Sequence, residues 1–319
     1  RKAISEVDFD VVLIAQVTVE TTGTMLLGSE IGAALNALEP LEIDLIGLNC
    51  ATGPAEMSEH LRYLSKFANC AISVMPNAGL PILGANGAEY PLDPKELAQA
   101  LETFVGDYGI ALIGGCCGTT PEHMAMVVNK LGAKPFTPRA SSLDPGASSL
   151  YQYVPFRQDN TYLAIGERTN ANGSRAFRDA LIVEDWQSCV EIARDQIRDG
   201  AHMLDLSVDY VGRDGVKDMR ELATRFATAS TLPIVLDSTE PAVLQAGLEA
   251  LGGRSVINSV NYEDGDGEKS RFARIMPLVK EHGAAVVALT IDEEGQARDC
   301  EWKLRVARRL INDLTMNWN

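Results

Sequence analysis

The sequence is poor in cysteine, in basic residues and in long apolar runs, and each shortage argues against a class of protein. Six cysteines among 319 residues are too few for a disulfide-stapled scaffold. Lys and Arg number 28 against 44 Asp and Glu, and this net charge of −16 argues against a nucleic-acid-binding face. No apolar run approaches the ~20 residues of a membrane-spanning helix, and no signal peptide is visible. We therefore expect a cytoplasmic protein with reduced cysteines and no membrane or nucleic-acid partner.

What the chain does contain is an alternation of short β-branched runs with longer amphipathic stretches. Strands alternating with helices predict parallel sheets built from βα units. The predicted strands cover residues 11–19, 44–49, 71–76, 110–115, 162–166, 202–208, 233–238, 255–260 and 285–291.

A stretch without periodicity separates the first four predicted strands from the last five. Residues 134–160 are rich in Pro, Ser, Gly and Asp, which indicates a linker. We predict domains at 1–139 and 159–319, joined by a linker at 140–158. Neither strand count closes an eight-stranded barrel, so we expect two (β/α)8 TIM-type barrels, both incomplete in this chain. The chain begins at Arg1 without a methionine, and we expect it to be a piece of a longer protein that turns over poorly alone.

Polar residues stand immediately after almost every predicted strand. In a (β/α)8 barrel the carboxyl ends of the strands form the face that carries the active site. Asp and Asn are common at any strand end, but cysteines are not. Cys50 ends one strand of the first domain, and Cys116 and Cys117 end another, so we expect three sulfurs on one rim.

Three cysteines on one rim predict a zinc site. Three thiolates bind zinc with bonds of about 2.3 Å and leave a fourth tetrahedral position open, as catalytic zinc sites do. The glycines around Cys116 and Cys117 allow two consecutive side chains to reach one ion. A lone cysteine is more often a core residue, and this reading suits the other three, Cys70, Cys189 and Cys300.

Two sets of motifs resemble known families. GLNCATGP (47–54), VMPNAGLP (74–81) and GGCCGTTPEHM (114–124) resemble the zinc-binding half of homocysteine S-methyltransferase barrels. IGERTNANGS (165–174), LDLSVD (204–209), IVLDST (234–239) and INS (257–259) resemble pterin-binding barrels. In this order the two sets are similar to the cobalamin-dependent homocysteine methyltransferases, over essentially the whole chain.

The resemblance implies a reaction and its cofactors. Methyltetrahydrofolate bound in the second barrel would give its methyl group to cobalamin held by a separate domain of the same polypeptide. The cobalamin would deliver it to homocysteine bound through sulfur to zinc, giving methionine and tetrahydrofolate. In the first barrel Asn77 is a substrate contact, a stand-in metal ligand or simply a turn residue.

The resemblance also implies the pterin-binding residues of the second barrel. These are Glu167, Asn170, Asp205, Asp237 and Asn258. Asp237 is expected to pair with the 2-amino/4-oxo edge of the ring, and Asn258 to follow protonation at N5, so both are expected to act in catalysis. The family usually has Asp-x-Asn where this chain has Asp205-Leu206-Ser207, which leaves Ser207 without an expected role.

Three alternatives compete with this reading. A zinc-dependent thiol methyltransferase using a betaine or sulfonium donor would need no pterin site. A non-catalytic domain stabilised by zinc would have four ligands, whereas the sequence offers three. A pterin enzyme of the dihydropteroate synthase kind would leave the cysteines without a function.

Overall fold

The structure is a computed structural model that describes residues 2–6, 11–84, 87–132, 139–141 and 144–318. The chain divides into two compact units, the first ending at Asp144 and the second beginning at Pro145. Each unit has its own parallel sheet and its own hydrophobic core.

The first unit is built on a four-stranded parallel sheet and one antiparallel hairpin. In chain order its strands are β1 (Ile14–Val17), β2 (Leu45–Asn49), β3 (Ala71–Met75), β4 (Ile82–Gly84), β5 (Gly87–Glu89) and β6 (Leu112–Ile113). The sheet order is β1-β2-β3-β6, and β4 pairs with β5 as a hairpin between β3 and the next helix. All four sheet strands therefore end at the same edge.

Helices accompany this sheet, and those from Ile31 onward pack apolar residues against it. They are α1 (Lys2–Glu6), α2 (Ile31–Leu38), a 3₁₀ turn (Glu39–Leu41), α3 (Pro54–Phe67), α4 (Pro94–Tyr108) and α5 (Pro121–Leu131). Helices α3, α4 and α5 each begin with a proline, whose missing N–H needs no partner in the first turn. Leu61, Leu97 and Leu101 are fully buried against Ile46 and Ile72 of the sheet.

The second unit has a five-stranded parallel sheet whose order follows the chain. Its strands are β7 (Gly146–Ser148), β8 (Tyr153–Pro155), β9 (Ile165–Gly166), β10 (Met203–Leu206), β11 (Ile234–Asp237), β12 (Val256–Val260), β13 (Ala285–Ala288), β14 (Ile291–Asp292) and β15 (Gly295–Gln296). Strands β9 to β13 form the sheet, while β7–β8 and β14–β15 are antiparallel hairpins. The sequential order is that of repeated βα units.

Six helices accompany the second sheet. They are α6 (Arg175–Ile182), α7 (Trp186–Arg198), α8 (Gly215–Ala229), α9 (Pro241–Ala250), α10 (Arg271–His282) and α11 (Cys300–Asn317). Five of them begin at a Ser or Asp whose side chain accepts a hydrogen bond from the backbone of the first turn. Phe177, Phe226 and Tyr262 are the largest side chains buried in this unit.

The predicted α/β architecture is confirmed, and each of the nine predicted strands contains a strand of one of the two parallel sheets. Over the described residues neither sheet closes into a barrel, as the strand counts predict. Hairpin β7–β8 lies within the stretch predicted as a linker and belongs to the second unit, where Ser148 and Arg254 exchange backbone hydrogen bonds of 3.0 Å. Within the described ranges, no helix has the length and apolarity needed to cross a membrane.

Candidate functional sites

The first unit brings its three strand-end cysteines together. Cys50 follows β2, and Cys116 and Cys117 follow β6, with β3 lying between these two strands. The Sγ atom of Cys117 lies 3.7 Å from that of Cys50 and 3.9 Å from that of Cys116, and all three lie within 4.8 Å of one another. We call these three residues the thiol cluster.

The spacing of the thiol cluster fits one zinc ion. Two Zn–S bonds of about 2.3 Å at a tetrahedral angle place their sulfurs about 3.8 Å apart. Both short sulfur–sulfur distances match this separation. The sulfurs are also accessible to a ligand, because Cys117 is exposed and the other two are half-buried.

Two cysteines of the thiol cluster have shifted pKa values, and the shifts are in opposite directions. Burial, followed by hydrogen bonding with Cys50 and Cys117, raises the pKa of Cys116 to about 11. Hydrogen bonds from Cys50, Tyr90 and Cys116 lower the pKa of Cys117. A divalent cation bound among these sulfurs would favour the ionised form of the thiols.

A turn of unusual backbone conformation directs Cys50 into the cluster. Cys50 and Ala51 both have positive φ angles, 61° and 60°, in the left-handed region that side chains other than glycine rarely adopt. The Cys50 N–H donates to the Met75 carbonyl over 3.0 Å, and the Thr52 N–H donates to the Cys50 carbonyl over 2.7 Å. These bonds hold a turn whose strain coincides with the candidate site.

Asn77 hydrogen-bonds the backbone on both sides of the thiol cluster. Its Oδ1 accepts the Cys117 N–H over 3.1 Å, and its own N–H donates to the Thr52 carbonyl over 3.1 Å. The next residue, Ala78, donates to the Cys117 carbonyl over 2.9 Å. The buried Asn77 thereby links the turns that carry Cys50 and Cys117. In this structure its side chain supports the cluster through the backbone.

Tyr90 and His123 adjoin the thiol cluster, and sequence reasoning did not single out either as a site residue. Tyr90 follows the β4–β5 hairpin, and its ring lies against Gly118, the residue after Cys117. His123 Nδ1 faces the Thr120 N–H and hydroxyl at the start of α5, and its Nε2 donates to the Leu92 carbonyl over 3.0 Å. Only the His123 position carried a sequence signal, since it stands where a capping box has Glu or Gln.

The second unit brings together the strand-end residues predicted from the pterin motifs. Asn170 Nδ2 lies 2.8 Å from Asp205 Oδ2 and 2.9 Å from Asp237 Oδ2, so one amide donates to both carboxyl groups. Asn258 lies opposite Asp237 in the register of β11 and β12, and it also interacts with Asp205. A register shift of β12 between Asn258 and Val260, with a cis peptide after Asn258, accompanies this placement. We call Asn170, Asp205, Asp237 and Asn258 the amide–carboxylate cluster.

The two carboxyl groups of this cluster hold their protons more tightly than exposed aspartates. Burial raises the pKa of Asp205 to about 6, opposed by the Asn170 hydrogen bond and reinforced by the Asp237 charge. Burial also raises the pKa of Asp237, with a further contribution from the charge of Asp209. A carboxylic acid that titrates near neutrality can exchange a proton with a bound ligand.

Asp209 is a residue of this site that sequence reasoning missed. The Ser238 hydroxyl lies 2.8 Å from Asp209 Oδ2 and 3.0 Å from Oδ1, and the Thr239 N–H donates to Oδ2 over 3.3 Å. Ser238 directly follows Asp237, so Asp209 fixes the backbone that presents the Asp237 side chain. LDLSVD (204–209) contains Asp209, but no spacing distinguishes it there from a surface acid.

Hydrogen bonds of buried polar side chains hold the loop that follows β9. Thr169 donates its hydroxyl to the Asp205 carbonyl, and Gln196 accepts the Arg168 N–H over 2.7 Å. Ser207 pairs through its backbone with Thr169 and Ala171, so its main chain helps to hold the loop that carries Asn170.

Glu167 and Arg168 lie at the exposed edge of the second site. Glu167 is exposed and raises the pKa of Asp205 through its charge, while its side chain lies outside the hydrogen bonds of the amide–carboxylate cluster. Arg168 pairs with Asp199 over 2.8 Å at the surface. This ion pair favours a structural role for Arg168 over ligand contact.

Comparisons with known proteins find one family match in each unit. A family model described as homocysteine S-methyltransferase matches residues 2–131, and one described as pterin binding enzyme matches residues 166–318. Methionine synthase of Mycobacterium tuberculosis (strain ATCC 25618 / H37Rv) is 66% identical over 318 residues, covering 100% of this chain and 27% of that protein. The Mycobacterium leprae (strain TN) methionine synthase is 64% identical over 323 residues, with the same coverage.

The chain therefore spans 27% of the length of these curated relatives. Dihydropteroate synthase from Thermus thermophilus is one solved structure with a weak likeness, with 19% identity over 53% of this chain and 60% of that one. The TM-score of this pair is 0.33.

Proposed function

We propose that this chain, whose two parts belong to the homocysteine S-methyltransferase and pterin-binding families within methionine synthase, provides two substrate sites for one methyl transfer. The first unit binds homocysteine through zinc, and the second binds methyltetrahydrofolate. The methyl group passes between them by way of cobalamin, carried by another domain of the longer polypeptide, giving methionine and tetrahydrofolate.

The observation that carries this proposal is the spacing of the thiol cluster. Cys50, Cys116 and Cys117 would hold zinc, since their sulfur separations suit one tetrahedral ion. When bound, zinc supplies a fourth coordination position at which a substrate thiol loses its proton at neutral pH.

The protein's own residues set the reactivity at that position. Three thiolates outweigh the charge of a divalent cation, so a substrate sulfur joining them stays electron-rich and nucleophilic. Asn77 keeps the Cys117 turn in place through the Cys117 N–H. The strained turn at Cys50 fixes the third sulfur relative to the other two.

Zinc content tests this half of the proposal. The 319-residue chain, purified without added chelator, should contain about one zinc ion, and Cys50→Ser, Cys116→Ser and Cys117→Ser should each lose most of it. Cys300→Ser is the matched control, because Cys300 is an exposed cysteine outside the cluster. Zinc content that is unchanged in the three cluster variants would refute a zinc site here.

In the second unit the amide–carboxylate cluster would bind the pterin ring. Asp237 pairs with the 2-amino edge, and the Asn258 amide faces the ring nitrogens, including N5. Loss of the methyl group from N5 is easier when N5 carries a proton. Asp205, whose pKa of about 6 lies near neutrality, contacts both Asn170 and Asn258 and is placed to hold that proton. Glu167 contributes negative charge at the rim.

Binding of methyltetrahydrofolate tests this half and separates the alternatives. We expect the chain to bind it, and Asp237→Asn to weaken binding by about tenfold or more, as measured by calorimetry. Asp195→Asn, which changes an exposed carboxylate on α7, should leave the affinity unchanged. A chain that binds zinc but no pterin would instead be a thiol methyltransferase with another donor.

A further inference from the structure

Asp209 is hydrogen-bonded to both loops that carry the central pair of the amide–carboxylate cluster, Asn170 and Asp237. We infer that Asp209 is a positioning residue for pterin binding. It closes a circuit of hydrogen bonds that holds Asp237 against Asn170 and so directs the Asp237 carboxyl group toward the 2-amino edge of the pterin. This inference rests on the proposed function, because it concerns the acid that would pair with that edge.

The carboxylate of Asp209 holds the loop that follows Asp237. It accepts the Ser238 hydroxyl over 2.8 Å at Oδ2 and 3.0 Å at Oδ1, and the Thr239 N–H over 3.3 Å. Ser238 is buried, and its oxygen accepts the Glu240 N–H over 3.1 Å where α9 begins. The residue after Asp237 is therefore tied both to Asp209 and to the helix, which restricts the Asp237 backbone.

The backbone of Asp209 holds the loop that carries Asn170. Its carbonyl accepts the Asn172 side-chain amide over 3.1 Å, and the Asn172 N–H donates to Asn170 Oδ1 over 2.9 Å. The Gly173 N–H donates to the same oxygen over 3.1 Å. Because Oδ1 accepts from two backbone groups, the Nδ2 group of Asn170 is the one that faces the carboxyl groups. It donates to Asp237 Oδ2 over 2.9 Å.

These contacts form a closed circuit in which Asp209 joins the two halves, one through its carbonyl and the other through its carboxylate. An ionised acid suits this place, since it accepts several hydrogen bonds and has no donor that would compete with Asn172 or Ser238. The circuit runs through Asn170, Asn172, Asp209, Ser238 and Asp237 and returns to Asn170.

A fixed direction of the Asp237 carboxyl group matters for recognition of the pterin. The 2-amino group and the neighbouring ring N–H point the same way, so a carboxylate can accept from both only when it lies in the plane of the ring. A side chain that is already held also loses less conformational entropy when the ligand binds. Cutting the link at Asp209 should therefore weaken binding although Asp209 itself does not contact the pterin.

A double-mutant cycle on the 319-residue chain tests this inference, with the affinity for methyltetrahydrofolate measured by calorimetry. Asp209→Ala and Ser238→Ala should each weaken binding by about fivefold or more. The double variant should lie within about twofold of the weaker single variant, because either change cuts the same link. Asp209→Asn keeps one acceptor oxygen and should lose less than Asp209→Ala. Glu240→Gln, at an exposed acid of the same loop, is the matched control and should bind like the wild type.

A second ligand distinguishes positioning of Asp237 from a general loss of structure. The 2-desamino-2-methyl analogue of methyltetrahydrofolate lacks the amino group with which Asp237 would pair. Its affinity should differ by less than about twofold between the wild type and Asp209→Ala, whereas a loosened second unit would bind both ligands more weakly. Tryptophan fluorescence of each variant reports whether the second unit is folded, since all three tryptophans lie in it.

The outcomes separate this inference from the proposed function. Wild-type affinity in both Asp209→Ala and Ser238→Ala would overturn the positioning role and leave the pterin site standing. Additive losses in the double variant, or equal losses for the two ligands, would also overturn it, because Asp209 would then not act through Ser238 and Asp237. A wild-type chain that does not bind methyltetrahydrofolate would overturn the proposed pterin site and this inference together.

Discussion

The Asp205 carboxyl group shows how one buried side chain links stability to chemistry. It shares the Asn170 amide donor with Asp237. Ionised Asp205 is therefore poorly solvated and is repelled by the negative charge of Asp237. Because its pKa is raised to about 6 in the folded chain, its contribution to stability is complete below about pH 4. That contribution is lost as the pH rises through 6.

Asp205→Asn should remove this dependence. Relative to the wild type, the variant should gain up to about 3 kcal/mol in free energy of unfolding between pH 4 and pH 7, at about 1.4 kcal/mol for each pKa unit. Urea unfolding followed by tryptophan fluorescence measures it, since all three tryptophans (186, 302 and 318) belong to the second unit. Asp195→Asn, at an exposed position of α7 in the same unit, provides the baseline. A pH profile of Asp205→Asn parallel to that of the wild type would contradict the raised pKa.

The cysteines of the thiol cluster could be predicted from the sequence, whereas the residues that pack against or hold the two sites could not. Three cysteines at strand ends are uncommon outside metal and thiol chemistry, and the structure brings their sulfurs together. Tyr90 lies against Gly118, the residue after Cys117, because a hairpin returns the chain to the rim, and this contact has no local sequence pattern. Asp209 acts through the backbone of another loop, and its motif gave no reason to prefer it. The roles assigned to the predicted ligand-binding residues stay predictions.

The packing of the first sheet requires a glycine at position 47, because a hydrogen bond between two side chains of the flanking strands passes over it. Gln16 donates to the Ser73 hydroxyl over 3.1 Å, and Gly47 lies between them in the register of β1, β2 and β3. A Cβ atom at Gly47 would overlap the Ser73 hydroxyl and carbonyl oxygens. The carbonyl belongs to the sheet and cannot move aside.

Gly47→Ala should therefore destabilise the first unit by about 3 kcal/mol, near the upper end for overpacking a core. Gly106→Ala is its control, because nothing lies within 4 Å of a Cβ at this position of α4 and alanine favours helix. Scanning calorimetry should show a lower melting temperature for the first variant and an equal or higher one for the second. Equal melting temperatures for the two variants would contradict the close contact between Gly47 and Ser73.

Strands were predictable where apolar runs are continuous, and hairpins were not. Strands β2, β3, β10 and β11 are buried over consecutive residues, which point to opposite faces of the sheet, and they appear in the sequence as apolar runs. Hairpins β4–β5, β7–β8 and β14–β15 have strands of two or three residues, too short for an alternating pattern. One of them, β7–β8, lies in a stretch whose composition indicates a linker.

Each of the two sites is assembled within one compact unit. The contacts of the thiol cluster come from residues between 50 and 123, and those of the amide–carboxylate cluster from residues between 167 and 258. Independent binding is the expected consequence, because neither ligand set draws on both units.

Cys50→Ser should leave the affinity for methyltetrahydrofolate within about twofold of the wild type, and Asp237→Asn should leave the zinc content unchanged. Calorimetry and metal analysis on the same protein samples measure both quantities. A large change of pterin affinity in Cys50→Ser would mean that the sites are coupled.

The central claim is that three cysteine sulfurs of this chain hold one zinc ion and leave a position for a substrate thiol. X-ray absorption at the zinc edge of the zinc-loaded chain tests it most directly. We predict three sulfur neighbours at about 2.3 Å in the wild type and four when homocysteine is added. The small fraction of zinc that Cys117→Ser retains should have two. A zinc ion surrounded by nitrogen and oxygen alone, or a sulfur count unchanged by Cys117→Ser, would contradict the claim.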